Sequence, residues 1–174
     1  MESNTVSRQQ AVGEVRNMAF QFADMYYAFV KVLRDRYGEE EALDIAHRVL
    51  FMRAKERAEK MIVKAGEEGV ERTPENIHDM SDVSYLGWDP SFGVDTCPYG
   101  AAWNRRIKDD PGFREFACLY CDVTDTTIAE VFTGDSSHRL YKNVVLGDDS
   151  CERTYFPSEE VKNGIITYYP DRKR

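Results

Sequence analysis

The sequence predicts an α+β protein in which an amino-terminal helical hairpin packs with a small antiparallel sheet and short helices. Three observations carry that expectation. Apolar side chains recur at three- and four-residue steps through most of the first 82 residues. After Asp82 the texture turns β-branched and aromatic. Near the far end, two strand-like runs flank Gly147-Asp148-Asp149.

In chain order, residues 7–37 place Val15, Met18, Ala19, Phe22, Met25, Tyr26, Phe29 and Leu33 along one side of a long amphipathic helix. Gly38 supplies a left-handed stop. Glu39, Glu40 and Glu41 then bring negative charge to the positive end of a second helix, which begins near Glu39. Its apolar face holds Ala42, Ile45, Ala46, Val49, Leu50 and Met52. Residues 53–60 are so polar that the far end is expected in solvent, with Glu56 and Lys60 spaced for an ion pair. Gly66 and Gly69 punctuate the chain, and Thr73 before Pro74 reads as the N-cap and first residue of a short third helix through Ile77 and Met80.

Residues 83–88 are expected as a strand, with a turn following at Asp89-Pro90 and Gly93. Pro98 and Pro111 stand at first-turn positions and announce two further helices. Another short helix is expected from Asp125 or Thr126 to Phe132, stopped by Gly134. Residues 140–146 and 150–156 form the predicted hairpin, and residues 164–169 read as a last strand. The chain shows no internal repeat, low-complexity segment or linker, so one domain is expected over residues 1–174. Its helical half covers about 7–82, and its cysteine-bearing α+β half about 83–169.

With 42% hydrophobic residues in 174, the chain can bury one core but not two catalytic domains. A formal net charge of -8 repels a nucleic-acid partner. The basic cluster Arg172, Lys173 and Arg174 reads as a solvated terminus. No apolar run approaches the roughly 20 residues that span a bilayer, so no membrane partner is expected. The polar start from Met1 to Gln10 lacks the basic and apolar parts of a secretory signal, which implies a cytoplasmic location and reduced thiols. The broad apolar faces of the first two helices leave room for a homo-oligomer.

The residues that can carry chemistry are thiols and carboxylates. Cys97 directly precedes Pro98 and so caps a helix, where unpaired amides and the helix dipole favour a thiolate. The plainer reading is a small buried hydrophobe at a helix entry. Cys118 and Cys121 form one C-x-x-C pair, with Asp122 and Asp125 after it. Phe113, Phe116, Ala117 and Tyr120 place that pair at the end of a helix, with Cys118 on the buried side and Cys121 at the exit. A thioredoxin-type pair would open its helix instead. Alternation puts Cys151, Arg153 and Tyr155 on one face of the second strand. There Arg153 can favour the thiolate or grip a substrate carboxylate, although a surface arginine is the plainer reading. No cofactor is expected. The alternative is a metal bound by Cys97, Cys121 and Cys151 with His138 in reserve, although one C-x-x-C is not the usual two knuckles. His47 and His78 fall within helices, where solvent-facing or capping roles are expected.

Taken in order, Thr96-Cys97-Pro98, Leu119-Tyr120-Cys121 with Asp125, and Gly147-Asp148-Asp149-Ser150-Cys151 resemble the hallmarks of the 2-aminothiazoline-4-carboxylate hydrolase family. The resemblance covers about residues 90–156. It implies a hydrolase that opens a C–N bond in a cyclic amidine or isothiourea small molecule, as in conversion of L-2-amino-thiazoline-4-carboxylate to S-carbamoyl-cysteine. It also implies catalytic positions at Cys97, Cys121 and Cys151, with Asp125 as acid or base. The assignment of Arg153 to substrate binding rests on its chemistry alone. The hairpin is also similar to that of vinyl-reductase-like domains, which implies a second expectation, a non-enzymatic small-molecule-binding or sensory module.

Overall fold

The structure is a computed structural model that describes residues 5–88 and 97–169. The turn read at Asp89-Pro90 and Gly93, residue Thr96 and the basic cluster Arg172 to Arg174 lie outside the described residues. The architecture is α+β, as the sequence predicts: two long helices, a third long helix with shorter ones, and one two-stranded antiparallel sheet.

Helix α1 (Arg8–Tyr37) starts where the Ser7 hydroxyl accepts the Gln10 amide at 3.1 Å. It stops at Gly38, whose φ of 82° is the left-handed region that glycine enters without strain. Helix α2 (Glu39–Glu68) follows at once, with its three first-turn glutamates facing the positive helix end. The apolar residues of α1 divide between two faces. Val12, Ala19, Ala23 and Val30 are buried, whereas Met18, Phe22, Met25 and Phe29 are exposed.

The far end of α2 lies only partly in solvent: Arg53, Lys55, Glu56, Glu59 and Lys60 are exposed as expected, but one stripe is not. Ala54, Ala58, Met61 and Ala65 are at most 1% exposed and pack with Ile128, Ala129 and Phe132. Alanines add little hydrophobic signal to a polar stretch, yet they let two helix axes approach closely, and that contact buries the stripe. On the opposite side Glu56 pairs with Arg53 at 3.5 Å.

After a 3-10 turn at Pro74–Asn76 comes the short helix α3 (Ile77–Met80). The predicted strand at 83–88 is instead a 3-10 turn, Tyr85–Trp88. The hydroxyls of Ser81 and Ser84 accept the amides of Val83 and Leu86 at 3.2 and 3.3 Å, and such local bonds compete with a ladder. Gly87 lets this turn sit against α1: a Cβ there would stand 2.8 Å from Val15, and the Gly87 carbonyl accepts from Arg16 at 2.8 Å.

Helix α4 (Pro98–Asp109) opens on its proline. Helix α5 (Phe113–Thr133) is continuous, so the two helices read at Pro111 and at Asp125 are one. Thr124, Thr126 and Thr127 sit buried inside it, where tertiary packing overrides their weak helix propensity. Gly134, with φ of 75°, ends it. Strand β1 (Ser136–Lys142) pairs antiparallel with β2 (Glu152–Pro157), with His138 opposite Tyr155 and Leu140 opposite Arg153. The sheet thus starts earlier than predicted. Residues 144–146 are a 3-10 turn, not strand, because the Asn143 side chain accepts the Val145 amide at 2.9 Å while Asp148 accepts the Asn143 amide at 2.7 Å. A short helix, α6 (Glu159–Lys162), follows. Residues 164–169 form turns, not a strand, and bring Tyr168 to His47 and Tyr169 to Phe51.

The main core lies among α1, α2, α4 and α5, around Trp103, Phe113 and Phe116, each fully buried. The Trp103 indole N–H donates to the Ala23 carbonyl at 3.0 Å, so this large side chain is buried without an unsatisfied donor. Among the described residues no helix is long and apolar enough to cross a membrane.

Candidate functional site

Cys97 is the N-cap of α4, as its place before Pro98 predicts, and its side chain makes no capping bond. Instead its sulfur accepts the Trp88 indole N–H at 3.3 Å.

Cys118 and Cys121 lie in the middle of α5, not at its end. The expected exit position of Cys121 is therefore corrected: it shares a helical stripe with Asp125, one turn on. Burial pushes the Cys118 thiol up to about 11. Burial raises Cys121 further above its ordinary value, with Asp125, Cys97 and Cys151 near enough to add to the effect. Cys151 immediately precedes β2, and burial raises its thiol too, against a lowering bond from the Val144 backbone. Cys121 and Cys151 are thus held as neutral thiols at neutral pH.

Arg153 points from β2 to α5, where its guanidinium stands 3.4 Å from the Asp125 carboxylate. The two side chains are 35% and 30% exposed, so the pair is reachable from solvent. Burial works against the Arg153 charge, but Asp125 and Tyr155 outweigh it and hold the guanidinium protonated. Cys97, Cys121, Cys151, Asp125 and Arg153 accordingly share one region, each within electrostatic reach of others in the set.

Several residues of this region were not singled out as site residues from sequence. Tyr99 packs edge-on to Trp88 and Tyr120, at 5.2 and 5.5 Å, and stacks on Trp103, making an aromatic wall beside Cys97. His78 stacks on Tyr85 at 4.4 Å, with its proton affinity lowered by burial and by Arg153. Arg57 lies within the stretch of α2 read as solvent-facing. Its side chain is only 13% exposed and bonds Asp82 at 2.7 Å, from where its charge reaches Tyr85, Tyr99 and Tyr120. The sequence signal available was proximity alone: Trp88 and Tyr99 flank Cys97 in the chain.

His138 is buried against α5, its Nδ1 3.3 Å from the Thr126 hydroxyl, and burial lowers its proton affinity. Among the described residues no group of three or more histidines, cysteines or acids is arranged to hold a metal ion. Two concavities flank the region. One, of about 380 Å³, lies behind β1 and is lined by Asp122, Thr126, Ser137 and Tyr168. The other, an apolar groove of about 400 Å³, runs from Met18 and Phe22 to Trp88 and Tyr99.

Fold and site together define a class: a mostly helical α+β protein with thiols, a carboxylate and a guanidinium gathered beside an aromatic wall. No protein-family model, no curated protein and no solved structure matches the chain.

Proposed function

We propose that this protein is a hydrolase that opens a C–N bond in a carboxylate-bearing cyclic amidine or isothiourea, such as an aminothiazoline carboxylate. The observation that supports this reading is that Cys97, from the start of α4, and the Asp125–Arg153 pair, from the middle of α5 and from β2, lie on the same two thiols, Cys121 and Cys151. A nucleophile, a proton carrier and a carboxylate clamp are what such a reaction needs.

In this reading the substrate carboxylate binds the Arg153 guanidinium through paired hydrogen bonds and loosens its contact with Asp125. Asp125, so released, accepts the Cys97 proton. The thiolate adds to the ring carbon that bears the nitrogens. The ring C–N bond breaks, its electron pair stays on nitrogen, and Asp125 returns the proton there. Water then adds to the remaining thioimidate carbon and Cys97 departs as thiol, leaving an S-carbamoyl product. The net reaction consumes one water and needs no redox partner. Cys121 and Cys151, neutral through burial, line the site.

The aromatic wall of Tyr85, Trp88 and Tyr99 favours a second reading, a binding or sensory module for a flat small molecule. Incubation with a panel of cyclic amidines, with substrate loss read by mass spectrometry, separates the two. Ring-opened product supports the hydrolase. Saturable binding without product supports the module.

A further inference from the structure

We infer that the exposed face of α1 is the interface of a twofold homodimer. Met18, Phe22, Met25, Phe29 and Val32 are 45% to 69% exposed, and they follow one another at alternating steps of four and three residues. That is the spacing of a helix-pairing seam, in which side chains of one helix fill gaps on another. The intramolecular packing of α1 uses the adjacent face, through Ala19, Ala23 and Val30. Met25, Phe29 and Val32 are therefore surplus to the fold, while Phe22 gives only one side of its ring to it, against Tyr99 and Tyr120 at 5.5 and 5.7 Å.

Its size fits a second copy. With Asn17, Gln21 and Ala28 between them, these five side chains present on the order of 800 Å², which is what each partner gives to a stable interface of standard size. The apolar part alone stands at the upper end of what a monomer ordinarily leaves in water, about 600 Å². Charge points the same way. A chain of net charge -8 repels its own copy over most of its surface, but Met18, Gln21, Phe22, Met25, Ala28 and Phe29 form an uncharged stripe, and Asp24, the one charged residue from Asn17 through Phe29, is turned aside to bond Arg106 at 2.8 Å. A single straight helix face is also self-complementary across a twofold axis, so the contact closes at two copies. Met18 and Phe22 form one wall of the apolar groove that ends at Trp88 and Tyr99, so a partner helix lying on them narrows that approach.

The inference does not rest on the proposed reaction, and its test needs no substrate. Sedimentation equilibrium of the full chain should give twice the 20.1 kDa chain mass at micromolar concentration. Met25→Glu and Phe29→Glu change side chains that face solvent in the lone chain, so each should leave the circular dichroism spectrum unaltered while returning the mass to a single chain. Val63→Glu, at an exposed apolar position of α2 away from the seam, should stay dimeric. A wild-type monomer would overturn the inference. So would a dimer indifferent to both α1 substitutions, a dimer lost equally in Val63→Glu, or a stoichiometric foreign protein seated on α1.

Discussion

The Arg153 guanidinium stands 3.4 Å from the Asp125 carboxylate, tying the second strand of the sheet to the middle of the longest carboxy-terminal helix. Each partner is about a third exposed, so the pair contributes well under about 1 kcal/mol to stability. Its weight falls on binding. Arg153→Ala should leave the urea midpoint almost unchanged and raise KM for a carboxylate-bearing substrate about 10- to 100-fold, the loss of one charged hydrogen-bond pair. Arg153→Lys should recover little, because an ammonium cannot reproduce the fork. An unchanged KM would remove Arg153 from the substrate site.

The thiols should differ in reactivity. Burial raises Cys118, Cys121 and Cys151, which keeps their thiolate fraction small, whereas Cys97 carries an indole N–H donor and a helix end. Brief alkylation with iodoacetamide near neutral pH, mapped by peptide mass spectrometry, should label Cys97 first. Faster labelling of Cys121 would mean that α5 opens before α4 is attacked.

Gly100 holds the entry of α4 against the hairpin loop. A Cβ at that position would overlap the Val144 side chain, which is buried. Gly100→Ala should destabilise the fold by about 1–3 kcal/mol despite the better helix propensity of alanine. Adding Val144→Ala should relieve the overlap, an interaction that a double-mutant cycle in urea measures directly.

Buried His138 and the exposed His78 both contribute to the acid side of the stability curve. Burial lowers the proton affinity of His138, against a raising effect of Asp125 and alongside a lowering one from Arg153; Thr126 and Tyr155 also face the ring. The unfolded chain, with an imidazole at its ordinary 6.5, binds more protons than the folded one, so stability is full above that value and falls as pH drops through it. His78 is shifted in the same direction. Between about pH 7.5 and 5.5, above the carboxylate range, the urea midpoint should decline, and His138→Gln should flatten but not abolish the slope.

Much of the fold was legible because its boundaries are written in residues with special backbone demands. Gly38, Gly69 and Gly134 do end helices with positive φ, and Pro98 does open one behind Cys97. What stayed illegible depends on packing at a distance. Ala54, Ala58 and Ala65 look neutral until α5 lies against them, and Arg57 looks solvated until Asp82 meets it. The helix expected to begin at Asp125 or Thr126 is the second half of α5, whose buried threonines the packing holds in helix. At residues 83–88 the strand texture yielded to serine-capped turns. The same limit held at the site. Sequence singled out the thiols, Asp125 and Arg153 as reactive types, but the aromatic wall of Tyr85, Trp88, Tyr99 and Tyr120 emerges only when the turn at Tyr85–Trp88, α4 and α5 are brought together.

The central claim is that the Cys97 thiolate attacks the ring carbon. Its most direct measurement compares ring opening of aminothiazoline carboxylate by the wild type and by Cys97→Ser, with circular dichroism to show that both are folded. The wild type should turn over without any added cofactor, and Cys97→Ser should lose on the order of 10³-fold or more in kcat/KM, because a serine hydroxyl is a far poorer nucleophile at neutral pH. Undiminished turnover by folded Cys97→Ser would contradict the account.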